Sequence, residues 1–558
     1  MDSRFTLLDW CILSAFPAVS IVVGFLSRRY VGQMDDFVLA GRTIRPRLGL
    51  ASIIASEMGL MVFIFSAQQG LTRAMSAFAI AVLSGLVCLA IAAGGVVAQP
   101  LRRIGVRTLA EFYRRRFSRG VGVIGGLLLV ATGVLSVALL LKNGGSFLLN
   151  LIGLEEHRLP TVICLLLGVV VLYTSLGGIV SVFMKDYLQF VLLTVGLMLT
   201  MLLSVQTMEW DNIFQTIDYL RGRGGVNPLH PEATFFQRLG PETLWLVVAL
   251  VGSCTVVQSL LLRTGATENV PAMRKTFKWA SLGFLMRMLI PMFIGICSLV
   301  YLTQWPSLKA AILWAGRVED QDVARLATAT FLNRFLPVGV LGLVAAAMIG
   351  AFMSALDSCL VAWSAVVSQD VLAPLSRRRP DDRQQVMMAR LLVPLLALLT
   401  LIWGLAIPRT YDLWHYVMGI AAVYFAGAMP AVFLGLYWKR ASAAGAYAAF
   451  FVSFGSLLGF KPVQAALGLA WRPAVVHLII LAGAFAAMVV VSLIRPSRPA
   501  DEDWNADHPS AFPPAAPRRL RVEVAPDPLH TASFTQGATS PPPQPPQEAD
   551  PAAQEDQP

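Results

Sequence analysis

Residues Leu48 to Gln69 read LGLASIIASEMGLMVFIFSAQQ, an apolar run that is long enough to cross a membrane as a helix. A carboxylate at the depth of the bilayer costs roughly 2.5 to 3.5 kcal/mol on insertion scales, so Glu57 is expected to face protein, water or an ion. Ser56 and Gly59 flank this region and favour a local unwinding that offers carbonyl oxygens to a cation. We therefore interpret the stretch as a broken membrane helix around which the other helices are arranged.

The composition is that of a polytopic membrane protein. Of 558 residues, 56% are hydrophobic and 14% are charged, and the mean hydropathy is +0.66. The net charge of +11 does not indicate nucleic-acid binding, because the basic residues lie in short loops between apolar runs. The six cysteines lie inside apolar runs at irregular spacing, which predicts packing thiols rather than a disulfide framework or a zinc site.

Apolar runs of about 20 or more residues predict an all-α fold with about 13 membrane helices. We number these runs as segments 1 to 13 in chain order, and segment 2 is the broken helix. They cover residues 7–27, 48–69, 74–98, 121–151, 159–179, 184–206, 241–263, 279–303, 336–366, 387–407, 411–437, 442–461 and 474–494.

Basic residues are concentrated in alternate loops, those after segments 1, 3, 7, 9 and 11. The loop after segment 3 alone has seven arginines between Arg102 and Arg119. Such loops lie on the cytoplasmic side of the plasma membrane. With an odd number of helices, the N-terminus is expected outside and the C-terminus in the cytoplasm.

The chain divides into two parts by composition. Residues 1–495 form the predicted transmembrane domain. Residues 496–558 are rich in Pro, Ala, Asp, Glu and Gln and have too little apolar surface to form a core, which predicts a disordered cytoplasmic tail.

The arrangement of polar interruptions predicts an inverted repeat of five plus five helices, segments 2–6 and segments 7–11. Segment 2 contains Ser56 and Glu57, and segment 7 contains Gly252-Ser253-Cys254-Thr255 followed by Gln258. Both interruptions fall in the first member of a repeat, where inverted-repeat proteins place their ligands.

Six motifs in the right order connect the chain with a known family. They are Asp36–Arg42 (DFVLAGR), Thr108–Phe112 (TLAEF) with Arg116 and Phe117, Tyr173–Gly178 (YTSLGG) leading to Asp186 and Gln189, Gln258–Arg263 (QSLLLR), Ala351–Ser358 (AFMSALDS), and Pro430 with Trp438–Arg440 and Gly445–Ala446. In these motifs the chain resembles the sodium:solute symporter family of proline, pantothenate, sialic acid and sugar carriers. The resemblance extends from about residue 7 to residue 494.

The resemblance implies a leucine-transporter-like fold with an extra N-terminal helix. It also implies uptake of a small organic solute by alternating access, coupled to sodium or alternatively to protons. Carried over by position, the sodium ligands are oxygens of Ala55 and Met58 in segment 2 and of Ala351 and Ser354 in segment 9. Hard oxygen ligands suit an alkali cation, and no other metal or cofactor is implied.

One position departs from the family pattern. The residue after Ser354 carries a second hydroxyl in the family, whereas this chain has Ala355. Asp357 and Ser358 follow Ser354 by three and four residues, near one face of the helix, and can compensate. Glu57 stands where some members have an acidic residue important for coupling. Asp186 lies along the inward sodium route of the family or complements the dipole at the start of its helix. These ion-coupling candidates are Glu57, Asp357, Ser358 and Asp186.

Two other intramembrane charges have more than one interpretation. Lys142 lies about 13 Å from the outer end of segment 4 at 1.5 Å per residue. It can pair with an anionic solute, neutralise Glu57 or Asp357, replace a cation, or extend toward the interface. For Arg287 in segment 8, extension toward the interface or a pair with Asp186 is expected.

The solute cavity implied by the resemblance involves segments 2, 4 and 7. Ser259 stands where several sugar carriers have a tyrosine, so a stacking gate for sugars is not expected there. The cavity candidates are Lys142, Asn143, Gly144, Val62, Gln258 and Ser259.

Alternative functions use the same fold. A solute sensor would report binding rather than move solute, and an ion-independent facilitator is suggested by Ala355 and Lys142. An enzyme is not expected, because no histidine lies among the intramembrane serines and acids. The expected partners are the solute and the lipid bilayer; nucleic acid is not expected, and the oligomeric state stays open.

Overall fold

The computed structural model describes residues 5–230, 240–304, 313–314, 317–318, 321–376, 380–407 and 413–496. Within these ranges the ordered structure is almost entirely helical, with one short antiparallel pair of strands, Leu313–Trp314 and Arg317–Val318. Residues 497–558, nearly all of the predicted tail, lie outside the described residues. The disorder of the tail therefore stays a prediction.

The long helices of the first half match segments 1 to 6. They are Leu7–Ser27, Pro46–Glu57 with Leu60–Arg73, Phe78–Gly94, Arg119–Ile152, and Leu159–Met208, which contains segments 5 and 6. Short helices connect them: Arg28–Tyr30, Met34–Leu39, Ala40–Arg42, Ala74–Ala77, Ala98–Ile104, Leu109–Arg116, Glu156–Arg158, Trp210–Arg221 and Arg223–Val226.

The second half contains helices for segments 7 to 13. They are Pro241–Thr255 with Gln258–Gly265, Val270–Thr303, Val340–Val366 extended by Val367–Leu372 and Ala373–Leu375, Asp382–Ala406, Leu413–Tyr437, Ala443–Ser453 with Phe454–Gly459, and Pro473–Ile494. Two further helices are Gln321–Phe335 before segment 9 and Lys461–Leu467 after segment 12.

The lengths and compositions of the helices show which of them can span a membrane. Nine of the described helices are long and apolar enough to cross, or up to eleven if each of two bent pairs forms one crossing. Their outer surfaces expose large apolar side chains such as Leu165, Leu395 and Ile479, as expected where lipid is the solvent. The polytopic, all-α prediction is confirmed, and the count of 13 stays a prediction.

Segments 2 and 7 are both broken, as predicted. The first half of segment 2 ends at Glu57; Met58 and Gly59 leave helical geometry, with ψ of 43° and 155°, before the second half begins at Leu60. In segment 7 the break falls at Val256 and Val257, and the two halves are bent by 41°. Each break exposes backbone groups that need partners from other helices.

Segments 5 and 6 are two helices, as predicted, and they join directly at Gly178 rather than through a loop. The chain continues from Leu159 to Met208 with one sharp kink at Gly178, whose φ is 51° and ψ is −145°. An added Cβ at Gly178 would lie 2.6 Å from the ring of Phe37, so both the backbone angle and the close approach require glycine. The kink aims segment 6 back into the protein and buries its first turns.

Segment 8 begins at Val270, nine residues before the predicted start at residue 279. Asn269 caps this helix by accepting a hydrogen bond from the backbone N–H of Ala272 at 2.8 Å. The charged residues Arg274, Lys275 and Lys278 are exposed on its first turns. They end the apolar run in the sequence without ending the helix, which explains the late predicted start.

Segment 8 packs closely against the second half of segment 2 through two glycines. An added Cβ at Gly70 would lie 1.9 Å from the carbonyl oxygen of Met292, and one at Gly295 would lie 1.9 Å from that of Ala67. Small residues let helix backbones approach in this way within membranes. The two helices are therefore in direct backbone contact at two places.

Candidate functional site

The break in segment 2 contacts segment 9. An added Cβ at Gly59 would lie 3.6 Å from Cβ of Ala355 and 4.0 Å from the carbonyl oxygen of Ala351. Segment 9 is buried along most of its length, including Ala351 and Ser354. Two helices that carry the predicted sodium ligands thus meet at the unwound residues.

Asp186 of segment 6 joins four segments and is fully buried. Its Oδ2 accepts hydrogen bonds from Ser52 Oγ at 2.6 Å and Arg263 Nη2 at 2.9 Å, and its Oδ1 accepts one from Ser354 Oγ at 2.8 Å. Arg263 Nε also donates to Ser52 Oγ at 3.0 Å. A buried carboxylate is tolerated only when it is paired and hydrogen-bonded in this way. Asp186 therefore connects segments 2, 6, 7 and 9.

Lys185 and Asp357 form a second buried pair next to Asp186. Lys185 Nζ lies 2.7 Å from Asp357 Oδ2 and 3.3 Å from Asp186 Oδ1, and its side chain is 1% exposed. Asp357 also accepts hydrogen bonds from the hydroxyl of Tyr173 at 2.6 Å and from Ser358 Oγ at 3.0 Å. We refer to Lys185, Asp186, Arg263 and Asp357 as the charged cluster.

Gln189 lies on the same helix as Lys185 and Asp186 and contacts the break in segment 2. Its Nε2 donates to the carbonyl oxygen of Ala55 at 3.1 Å, and both residues are fully buried. Its Oε1 is also buried and has no hydrogen-bond partner among the described residues. Ala55 is one of the predicted sodium ligands, so an unsatisfied amide oxygen lies in the same neighbourhood.

Glu57 belongs to a separate ion pair. Its Oε2 contacts Arg287 Nη1 of segment 8, and the Arg287 guanidinium lies 4.0 Å from the centre of the Phe284 ring. The Glu57 side chain is 18% exposed, unlike the charged cluster. The predicted pair between Arg287 and Asp186 is wrong, because Lys185 and Arg263 already surround Asp186.

The candidates on segment 4 and Val62 are not gathered at the charged cluster. Lys142 Nζ donates to the carbonyl oxygen of Ile407, and Asn143 donates to a carbonyl of its own helix. Gly144 lies against Phe352 of segment 9, where an added Cβ would be 2.9 Å from the ring. Val62 packs in an apolar cluster with residues of segments 3 and 8. Their place in a solute cavity stays a prediction.

Gln258 and Ser259 lie at the second half of segment 7. Gln258 Nε2 donates to the carbonyl oxygen of Arg107 at 3.2 Å, and its Oε1 accepts from the backbone N–H of Leu109 at 2.9 Å. Gln258 thus fastens segment 7 to the loop after segment 3. The carbonyl of Ser259 accepts a hydrogen bond from Arg263 at 3.4 Å.

The same loop is held by charges that sequence reasoning missed. Thr108 donates to the buried carboxylate of Asp370 beyond segment 9, and Arg114 Nη1 lies 3.2 Å from Asp370 Oδ1. Burial alone would lower the pKa of Arg107, but the carboxylates of Asp35 and Glu111 outweigh it and raise that pKa above its ordinary value. Arg107 therefore stays charged and anchors the loop.

Lys185 and Ser52 were not singled out from the sequence, and Tyr173 appeared only as the first residue of a family motif. Lys185 stands beside Asp186 at the predicted start of segment 6, where a charged pair is ordinarily a solvated helix end. The available signal was the pair of glycines that ends the motif Tyr173–Gly178, which allows a sharp kink seven residues before Lys185. Because the two helices join there without a loop, Lys185 lies inside the second helix, where it is buried.

The chain matches the family model described as "Sodium:solute symporter family" over residues 37–453. It is 25% identical to the sodium/myo-inositol cotransporter of Canis lupus familiaris over 512 residues, covering 83% of this chain and 67% of the relative. It is 23% identical to the sodium/glucose cotransporter of Vibrio parahaemolyticus, covering 83% of this chain and 87% of the relative.

Another relative is the sodium/sialic acid symporter of Proteus mirabilis (strain HI4320), which is 22% identical and covers 82% of this chain and 90% of the relative. Among solved structures, the substrate-bound outward-open state of a Na⁺-coupled sialic acid symporter aligns with a TM-score of 0.72 at 18% identity. The alignment covers 89% of this chain and 100% of the symporter chain. This similarity shows that the chain has the same fold as that symporter.

Proposed function

Because the chain belongs to the sodium:solute symporter family, we propose that it is a secondary active transporter that couples sodium entry to uptake of a small organic solute. Alternating access of the leucine-transporter-like fold moves the ion and the solute across the plasma membrane. The N-terminus is outside and the C-terminus is in the cytoplasm, since the arginine-rich loops after segments 1 and 3 favour the inner face.

The observation that supports this proposal best is the meeting of segments 2, 6 and 9. Gly59 lies against Ala351 and Ala355, and Asp186 bridges Ser52 to Ser354 through hydrogen bonds of 2.6 and 2.8 Å. Unwound carbonyls and hydroxyl oxygens at mid-membrane are the ligands that alkali cations take in broken-helix transporters.

In the proposed site the sodium ion is held by oxygens of Ala55, Met58, Ala351 and Ser354. The Ser354 hydroxyl donates a hydrogen bond to Asp186, which leaves the lone pairs of the Ser354 oxygen available to a cation. Gln189 adds an amide oxygen near Ala55, and this oxygen is a candidate to replace the hydroxyl that Ala355 lacks.

Glu57 has a supporting role in this proposal. Its carboxylate is neutralised by Arg287 rather than exposed to the ion, so it fixes the end of the first half of segment 2 against segment 8. Asp357 and Ser358 act through Lys185 and Arg263 on Asp186 rather than as direct ligands.

The solute is proposed to bind beside the break, between segments 2, 4 and 7. The relatives are named for myo-inositol, glucose, sialic acid and, in an osmoregulated transporter of Bacillus subtilis (strain 168), proline. These four compounds make the first panel of solutes to test.

The test uses purified full-length protein. In detergent, sodium is expected to raise the thermal unfolding temperature of the protein, whereas choline or potassium at equal ionic strength is not. In proteoliposomes, an inward sodium gradient is expected to drive uptake of at least one labelled compound of the panel. Ser354→Ala removes one ligand and should weaken the apparent sodium affinity about tenfold, which corresponds to about 1.4 kcal/mol.

Ser364→Ala is the matched control, because Ser364 lies on the same helix and its hydroxyl donates to the carbonyl oxygen of Val361 at 3.0 Å, a bond within that helix. It should keep the sodium affinity of the wild type. If Ser354→Ala leaves sodium affinity unchanged, the ion binds elsewhere. If sodium and solute bind but no gradient drives uptake, the sensor hypothesis replaces transport.

A further inference from the structure

The ammonium group of Lys185 occupies a closed, charged position within the membrane domain. Its side chain is 1% exposed, and Nζ lies 2.7 Å from Asp357 and 3.3 Å from Asp186. The ring of Tyr173 closes a third side, with its centre 5.9 Å from Nζ. These contacts come from three different parts of the chain and surround the ammonium group.

Two carboxylates and two cations make up the charged cluster, which is therefore neutral as a whole. Arg263 contacts Asp186 at 2.9 Å and donates to Ser358 at 2.6 Å. Among the described ion pairs, Lys185 is the one cation within reach of Asp357. Without the ammonium, the buried cluster would carry one uncompensated negative charge, which is strongly unfavourable.

We propose that the Lys185 ammonium is a tethered cation that fills a second cation-binding position, so that a single sodium ion accompanies each solute. This inference rests on the proposed function, because the carried ion is the one bound by Ala55, Met58, Ala351 and Ser354. Asp186 connects the two positions: its Oδ1 faces both Ser354 Oγ, at 2.8 Å, and Lys185 Nζ, at 3.3 Å.

The oxygens around Nζ are suitable for sodium. Asp186 Oδ1, Asp357 Oδ2 and the hydroxyl of Tyr173, which donates to the same Asp357 oxygen at 2.6 Å, are all hard donors. A tethered ammonium satisfies these oxygens permanently and cannot leave with the solute. The position therefore contributes no ion movement and draws no energy from the gradient.

The experiment measures how many sodium ions bind per chain, by equilibrium binding of ²²Na⁺ to the purified full-length protein. We expect one ion for the wild type and two for Lys185→Thr, which removes the ammonium and leaves Asp357 unpaired. The double variant Lys185→Thr/Asp357→Asn removes both charges and should bind one ion again. Lys278→Thr, at an exposed lysine of segment 8, is the control and should bind one ion.

The outcomes separate this inference from the proposed function. One ion in both the wild type and Lys185→Thr overturns the inference and leaves sodium coupling intact. No ion in the wild type and one in Lys185→Thr supports the tethered cation and overturns sodium coupling. If Lys185→Thr does not fold, Lys185→Ser is measured in its place and is expected to bind two ions, and two ions bound to the wild type overturn the inference.

Discussion

The breaks in segments 2 and 7 each leave a backbone carbonyl that needs a hydrogen-bond donor, and a different type of side chain supplies the donor at each break. At the break of segment 2, the carbonyl of Ala55 accepts a hydrogen bond from the Gln189 amide of segment 6 at 3.1 Å. At the break of segment 7, the carbonyl of Val256 accepts one from the Tyr424 hydroxyl of segment 11 at 2.8 Å. In the predicted repeat of five plus five helices, segments 6 and 11 are the fifth members, so in each predicted repeat the last helix satisfies the break in the first.

The surroundings of the two breaks differ in charge. Gln189 follows Lys185 and Asp186 on one helix, and the charged cluster lies beside it. Phe425 follows Tyr424, and Gly252 packs against the Phe425 ring. An added Cβ at Gly252 would lie 2.9 Å from that ring. One break is thus set in a polar network suited to an ion, and the other in an aromatic environment. The predictions below test whether this division of roles is real.

The largest effect is expected from Asp186→Ala, which leaves Lys185 and Arg263 with one carboxylate between them. Removing one partner of a buried charged network typically costs 3 to 5 kcal/mol, so the free energy of unfolding in mixed micelles should fall by about that amount. Sodium-dependent uptake should be lost. Asp218→Ala, at an exposed aspartate, is the control, and a loss of under about 1 kcal/mol in Asp186→Ala would contradict a shared network.

Gln189→Leu tests the polar break. The substitution leaves the buried carbonyl of Ala55 without its donor, which should cost about 1 to 3 kcal/mol in the free energy of unfolding. It also removes the unsatisfied amide oxygen, so the apparent sodium affinity should fall as well. The unfolding midpoint and the sodium titration are measured on the same preparation, and an unchanged sodium affinity would remove Gln189 from the ion site.

Tyr424→Phe is the matched test of the aromatic break. It removes only the hydroxyl that donates to Val256, and because that buried carbonyl loses its donor, the free energy of unfolding should fall by about 1 to 3 kcal/mol, as for Gln189→Leu. The sodium affinity measured by thermal stabilisation should stay at the wild-type value, while the concentration of solute needed for half-maximal uptake changes. A fall in sodium affinity equal to that of Gln189→Leu would show that the two breaks do not have separate roles.

The smallest effect is expected from Ala355→Ser, which adds a hydroxyl beside Gly59 at the polar break. Because Ala355 is only half-buried, the change in stability should stay within about 0.5 kcal/mol. The added oxygen should raise the apparent sodium affinity by a few-fold, read from the same titration. Ala365→Ser, two to three turns further along segment 9, should not raise it, and a gain in both variants would argue against a local ligand.

The breaks in segments 2 and 7 could be predicted because polar and small residues interrupt apolar runs at Glu57, Gly59 and Gly252. The family was also recognisable, since its motifs are short local patterns that survive at low identity. The resemblance implied Ser354 as a sodium ligand and Asp186 as an ion-coupling candidate, but it did not predict their contact, which the structure shows.

Charge pairing could not be predicted in the same way. Glu57 and Arg287 lie 230 residues apart in the chain, and no local pattern connects them. Lys185 was overlooked because a lysine beside an aspartate at the start of an apolar run is typical of a helix end in solvent. Its ion pair with Asp357 joins residues 172 positions apart in the chain, so no local pattern reveals it.

The paired glycines Gly70 and Gly295 have a consequence for motion. With Gly70 against Met292 and Gly295 against Ala67, neither helix can slide or roll without driving one main chain into the other. The second half of segment 2 and segment 8 are therefore expected to move as one rigid piece during transport. Bending has to take place where that piece ends, and on segment 2 this is the unwound pair Met58 and Gly59.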